Sequence, residues 1–274
     1  MTFSIVARQG EAYGVAVASK FLAVGAVVPA AVNGVGAVAT QASARVAYLD
    51  ELIGALRSGE AADDALAVAT VADDESATRQ VGVVGQSSAA TFTGADCLSW
   101  AGGTAHDEGE SAYAIQGNIL TGPEVVAAME SAWRASAGRP FAQRLLAALV
   151  AGDDAGGDSR GRQSAAMYAV EPGAGYDACG VLADLRVDDH GDPVGELTRL
   201  LSEWEMYFGR PENVQPLHAD LAEEVRGLLA DAGYVADDLP VALADWAGHV
   251  NYETRLSPDG IDSRVLEALR ATRA

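Results

Sequence analysis

The chain has 274 residues, with 18 Lys+Arg against 39 Asp+Glu and a formal net charge of -21 at pH 7. Its 49% apolar content is enough for a substantial core and excludes wholesale disorder. The acidic balance excludes the basic face that a nucleic-acid or anionic-membrane binder needs.

Residues 2–8 and 13–19 read as two short strands joined by a turn at Gln9-Gly10, and 34–40 as a third strand rich in small side chains. Small residues in a strand point to close approach of another layer. Helical spacing of Leu49, Leu52, Ile53 and Leu56 predicts a helix over 46–58, and a second follows over 61–71. Residues 80–85 and 90–94 read as a hairpin, and 111–118 as a strand ending in Gly117-Asn118. Helices are expected over 123–136 and 139–151, then a loop from Gly152 to Arg162, then strands over 163–170 and 180–187. This order is not a strict strand–helix alternation, so a doubly wound sheet is disfavoured. It suits an α+β protein in which two antiparallel sheets pack face to face with helices outside. From residue 191 the pattern becomes purely helical, with helices near 193–208, 217–232, 238–250 and 260–272. The domains are therefore expected to be 1–190, the sandwich, and 191–274, a small α-helical appendage. Trp204, Tyr207, Phe208 and Trp246 fall at helical spacing and are expected in the core of that appendage.

The expected address is the cytoplasm. The chain runs directly into Thr2-Phe3-Ser4-Ile5-Val6-Ala7 without a basic leader, and it contains no apolar run of about 18 residues. Cys97 and Cys179 are too few for a disulfide framework or a zinc site. The only lysine is Lys20, and the other 17 basic residues are arginine. This composition suits an acidic, halophilic protein whose self-repulsion is screened by a salty cytosol. It also draws attention to Lys20, since an ammonium can lose its proton as a guanidinium cannot.

Thr2 follows the initiator Met1, which ordinary processing removes before a residue this small. A threonine with a free α-amine combines a nucleophile and a base in one residue. An α-amine has an ordinary pKa of about 7.7–8.0, suited to that work. Thr2 opens one strand, a second ends at Ser19-Lys20, and the small-residue strand ends at Thr40-Gln41.

Three groups of residues carry a family resemblance. The first is Met-Thr-Phe-Ser-Ile-Val-Ala followed by Val-Ala-Ser-Lys-Phe. The second comprises Arg79-Gln80-Val81-Gly82-Val83-Val84 and Gln116-Gly117-Asn118. The third is the run Gly156 to Ala166 with Asp184 to His190. Together they resemble a family of unknown function, the ten-twenty-eight family of that series, over roughly residues 1–190. The layout is similar to the N-terminal-nucleophile hydrolases and to a proteasome β subunit. The tail resembles a peptidoglycan-binding-like domain sometimes attached to this family. The resemblance implies a four-layer αββα N-terminal-nucleophile-hydrolase-like sandwich with an amidohydrolase-like site, and no particular substrate.

Under that resemblance Thr2 is the nucleophile, and Lys20 tunes its amine or binds a substrate carboxylate. Asn118 and Gln41 are candidate amide donors to an oxyanion, or else caps of the sheet edge. Asp158 is a candidate for orienting the Thr2 amine, or else half of a structural ion pair with Arg160. Arg160 and Arg162 are candidate grips for a carboxylate or phosphate, and Ser19, the neighbour of Lys20 and facing the opposite side of an extended strand, is a candidate substrate contact. Asp184, Asp188, Asp189 and His190 form an acidic cluster. It lacks metal-ligand spacing and is expected to be a solvated loop or an ion network through Arg186. His106, His218 and His249 are expected at the surface.

The expected activity is hydrolysis of a small anionic amide or peptide-like substrate through an acyl-enzyme on Thr2, with no metal or organic cofactor, no nucleic acid and no membrane. A homodimer is expected on general grounds. The rival expectation is a binding or scaffold module on the same fold, with the helical tail as its contact surface.

Overall fold

The computed structural model describes residues 2–273; Met1, whose removal the sequence reading requires, lies outside them. In chain order the first strands are β1 (Thr2–Gln9), β2 (Ala12–Ser19), β3 (Pro29–Val32) and β4 (Gly36–Ala42). Helices α1 (Ala47–Arg57) and α2 (Ala62–Val71) follow. Next come β5 (Arg79–Val84), β6 (Ala89–Thr93), β7 (Gly102–Asp107) and β8 (Ser111–Asn118). Helices α3 (Glu124–Ala135) and α4 (Phe141–Asp154) precede β9 (Ser164–Val170) and β10 (Val181–Val187). The rest is helical: α5 (Pro193–Phe208), α6 (Ala219–Asp231), α7 (Leu239–His249) and α8 (Ser263–Ala271). No helix among the described residues is long and apolar enough to cross a membrane.

The strands form a six-stranded sheet ordered β10-β9-β2-β1-β8-β7 and a four-stranded sheet ordered β3-β4-β5-β6, with every pairing antiparallel. Side-chain alternation assigns the faces. Val6, Val15, Val17, Ala112, Ala114 and Ala166 of the larger sheet pack with Ala37, Ala39 and Val84 of the smaller. The intervening residues Val38, Val81 and Val83 turn the other way, onto Tyr48, Leu52, Leu56 and Leu66 of α1 and α2. On the far side of the larger sheet, α4 covers β1 and β2, and α3 lies against β8. The layers are thus helices, sheet, sheet, helices.

Two strands escape the sequence reading. β3 is four residues long, starts at Pro29 and occupies a sheet edge, where a missing N–H is tolerated. β7 reads Gly-Gly-Thr-Ala-His-Asp, with none of the alternation that marks a half-buried strand. The small residues do mark close approach. A Cβ on Gly36 would lie 2.5 Å from the Leu56 side chain and from the Val84 carbonyl oxygen.

Contacts divide the chain into one unit through Leu201 and a second from Ser202, and the division falls within α5. The core of the second unit joins Val225, Leu229, Leu243, Trp246, Val265 and Leu269 from its three remaining helices. Of the four aromatics expected in that core, Trp246 is buried, whereas Trp204 and Tyr207 are half-buried and Phe208 is exposed. Those three cluster with one another and with Tyr252 at the margin instead. An ion pair sits inside this unit. Arg255 and Asp262 have fully buried side chains, with Nη1 donating to Oδ2 at 2.9 Å. Asp262 also caps α8, accepting the N–H groups of Arg264 and Val265 at 2.8 and 3.0 Å. Arg255 donates further to the carbonyls of Glu205, Met206 and Arg210.

Removing one member of a buried pair strands the other's charge, at a cost of about 3–5 kcal/mol. Asp262→Ala is therefore expected to unfold the helical unit selectively. Guanidinium titration followed by near-UV circular dichroism should show a new, earlier transition; a single unchanged transition would contradict the role given to Asp262.

Candidate active site

The register of the larger sheet brings four polar residues into one row. Thr2 pairs with Asn118, Phe3 opposite Ala18 sets Thr2 alongside Ser19, and Ser19 pairs with Ser164. All four lie on the inter-sheet face, because they share parity with Val6, Val17, Ala114 and Ala166. Phe3 points the other way, against Gly152 and Gly157 at the end of α4. Thr2 is buried, and its Oγ1 lies 3.1 Å from Ser19 Oγ.

Behind this row the layer between the sheets changes from aliphatic to polar. Gln116 Nε2 donates to Ser4 Oγ at 2.6 Å, and Ser4 Oγ donates to Gln41 Oε1 at 2.7 Å. Gln41 Nε2 donates to Gln80 Oε1 at 2.8 Å and to the Thr2 carbonyl at 3.3 Å. Gln80 Oε1 also accepts from Asn118 Nδ2 at 2.9 Å, while Gln80 Nε2 donates to the Gly117 carbonyl at 2.8 Å. Buried amides are tolerated only when their donors and acceptors are matched, and here they match one another. Gly82 makes the room: a Cβ there would lie 2.2 Å from Gln116 Oε1.

Lys20, one residue beyond β2, is held by the loop between α4 and β9. The buried carboxylate of Asp158 accepts the Lys20 backbone N–H at 2.8 Å and the Arg160 N–H at 2.9 Å. Arg160 Nη2 donates to the Lys20 carbonyl at 3.0 Å and to Asp158 Oδ2 at 3.3 Å. The exposed Lys20 ammonium donates to the Arg162 carbonyl at 3.2 Å. The Arg162 guanidinium turns to Asp153, at 2.8 and 3.0 Å, and that hydrogen bond raises its pKa above the ordinary arginine value. The loop owes its path to Gly156 and Gly157, whose φ values of 113° and 48° suit glycine; a Cβ on Gly157 would also meet the Phe3 ring at 3.1 Å. A cavity of about 260 Å³ opens here, lined by Phe3, Ala18, Ser19, Asp153, Asp158 and Arg162 among others.

The eight residues singled out in the sequence occupy two adjoining groups. Thr2, Ser19, Asn118 and Gln41 belong to the inter-sheet row and its network. Lys20, Asp158, Arg160 and Arg162 belong to the clamp beside it. Both arginines are engaged by aspartates, and the described bonds of the Asp158 carboxylate run to Lys20 and Arg160. Ser4, Gln80, Gln116 and Ser164 were not singled out. Their signal is a polar residue replacing an aliphatic one at the inward parity near a strand end. Elsewhere, Arg186 pairs with Asp184 at 3.3 Å, and His106, His218 and His249 are exposed. Among the described residues no group of three or more His, Cys, Asp or Glu is placed to hold a metal ion.

Fold and site together define an α+β protein with two facing antiparallel sheets and a hydroxyl–carboxamide row at one end of the space between them. The chain belongs to the family of unknown function DUF1028, whose model matches residues 2–197. A second model, described as "Putative peptidoglycan binding domain", matches residues 207–269. Among solved structures, the chain is similar to protein SPO2555 from Silicibacter pomeroyi, which carries the same family label. The two share 29% identity over 81% of this chain and 92% of that one, with a TM-score of 0.66. A search of curated proteins finds no match.

Two outcomes test this geometry. Gly82→Ala forces a methyl group into the Gln116 amide and is expected to cost about 1–3 kcal/mol in urea denaturation. Asp158→Ala leaves the Lys20 N–H without its carboxylate. Hydrogen exchange at the Lys20 amide should then accelerate at least tenfold, and unchanged exchange would show that the clamp does not hold the loop.

Proposed function

We propose that this protein is an amide hydrolase of the N-terminal-nucleophile type, with Thr2 as its nucleophile once Met1 has been removed. One observation carries the reading: Thr2 opens a central strand at the polar end of the inter-sheet layer, its hydroxyl 3.1 Å from Ser19 Oγ and its strand partner Asn118 beside it. The four layers of helices, sheet, sheet and helices support the same reading, since that is the architecture such a nucleophile is built on.

In this mechanism the Thr2 hydroxyl attacks the substrate carbonyl and its proton passes to the Thr2 α-amine. The C–N bond breaks, and the α-amine returns the proton to the departing nitrogen. An ester on Thr2 remains. Water, deprotonated by the same amine, hydrolyses it to the free acid and restores the hydroxyl. One Asn118 amide proton is used by Gln80; the second is the donor proposed for the developing oxyanion. Ser19 orients the Thr2 hydroxyl. Lys20 supplies positive charge next to the site, favouring the free-base amine or holding a substrate carboxylate. Asp158 and Arg160 serve as positioning residues, acting through Lys20.

A second reading, a binding or scaffold module, draws on a specific observation. The Gln41 amide and both loop arginines are already occupied within the protein, which fits a site whose polar groups serve the fold.

Intact mass and covalent labelling separate the two. The hydrolase reading expects a mass lacking Met1 and a single adduct on Thr2 after treatment with a β-lactone. Thr2→Ala should abolish the adduct, and Asn118→Ala should slow its formation by about 10²-fold or more. A retained Met1, or an adduct unchanged in Thr2→Ala, would sink the nucleophile assignment.

A further inference from the structure

The segment directly after Ser19 presents an unusual surface. Lys20 is exposed, and next to it Phe21 and Leu22 are 53% and 58% exposed. Large apolar side chains on a mobile loop could fold back on themselves; these are on a segment tied down along its length. The Lys20 N–H and carbonyl are held by Asp158 and Arg160. The Phe21 carbonyl accepts from the buried Ser164 hydroxyl, which in turn accepts the Val24 N–H at 3.1 Å. The Ala23 N–H donates to the Asp188 carbonyl at 2.9 Å, with Ala23 in the left-handed region at φ 52°. A rigid display of this kind lowers the ordering cost of binding.

On the other flank of β1, the Leu98 carbonyl accepts the N–H of Ile119, one residue beyond Asn118. Leu98 is 67% exposed. Because β2 and β8 both adjoin β1, their ends lie roughly 10 Å apart, with the Thr2 end between them. Segments bearing exposed apolar side chains thus flank the strand that carries the proposed nucleophile. The charge is equally telling. In a chain of net charge -21 with abundant carboxylates, the single lysine ammonium meets the Arg162 carbonyl and no carboxylate among the described residues.

We infer that the Lys20-Phe21-Leu22 segment is a recognition element for an amphipathic amide, its apolar arm resting on Phe21 and Leu22 and its carboxylate on Lys20. This rests on the reading of Thr2 as the reacting residue, and it narrows the substrate class to an amide carrying both an apolar chain and an anionic group. With an N-acylglycine as probe, water addition would break the amide C–N bond and give a fatty acid and glycine.

The test is a calorimetric titration of Thr2→Ala protein, which binds without turnover, using N-butanoyl-, N-hexanoyl- and N-octanoylglycine. Affinity is expected to rise at least fivefold from the shortest to the longest, within the roughly fourfold per methylene that full burial allows. N-octanoylglycinamide, lacking the carboxylate, should bind at least fivefold more weakly, and Lys20→Met should close that gap. The double variant Phe21→Ser/Leu22→Ser, at solvent-facing positions, should flatten the chain-length dependence. Protection of Thr2 from β-lactone labelling by the same acylglycines repeats the measurement on the unaltered chain. Flat affinities, or dependence that survives the double variant, overturn the inference. So does a double variant that turns a dimer into a monomer in sedimentation with binding unaltered, which assigns the patch to a second copy. Missing lactone labelling with chain-length dependence intact overturns the hydrolase reading alone; labelling with flat affinities overturns this inference alone.

Discussion

Ser4, Gln41, Gln80, Gln116 and Asn118 form a buried network on which the site depends. Two sheets pressed together normally exclude polar side chains, because an unmatched amide in such a layer costs more than a methyl group returns. Here carboxamides from β4, β5 and β8 arrive together with the Ser4 hydroxyl of β1, and each supplies what its neighbour lacks. Their geometry is demanding, which pins the relative register of the two sheets at the end where Thr2 emerges. The aliphatic half of the same layer, made of Ala and Val, has no such directional requirement. It supplies cohesion, and the polar half supplies alignment.

The clamp around Lys20 extends that alignment to the surface. Asp158 sits at the base of a glycine-bearing loop and satisfies backbone donors of two separate segments. Through it the end of β2 and the approach to β9 become one rigid rim. Arg160 closes the arrangement by holding the Lys20 carbonyl. The arginines therefore work mainly on the protein's own carboxylates and carbonyls, and the lysine is the cation whose head group reaches solvent without an acidic partner among the described residues. A compact ammonium on a fixed backbone is a better local charge for a small ligand than a guanidinium already committed to two oxygens.

The helical unit solves a different problem with different means. Its three short helices enclose a small core, and beside them the end of α5 presents the carbonyls of Glu205 and Met206, with that of Arg210 just beyond. One buried guanidinium collects them, and Asp262 neutralises it while capping α8. The unit has its own core and its own polar anchor.

Much of the fold was legible in the sequence because local periodicity is a property of the chain itself. Short apolar runs bounded by turn residues marked β1, β2, β8 and β9, helical patterns marked α1 through α8, and the small residues of β4 announced close approach. β3 and β7 were not legible, since a four-residue edge strand opening with proline and a Gly-Gly-Thr strand acquire their conformation from the neighbours they pair with. For the site, Thr2, Ser19 and Lys20 stood out through position and rarity, and Asp158 through its turn-forming loop. Gln80, Gln116 and Ser4 did not, because a polar residue in a strand is ordinary until another sheet closes over it. The sequence alone determined which faces would be apolar, where elements would begin, and which rare residues lay at strand ends. Only the tertiary structure decided that the two loop arginines would be spent on aspartates and that carboxamides from three strands would meet, because partners distant in the chain are chosen by packing and register.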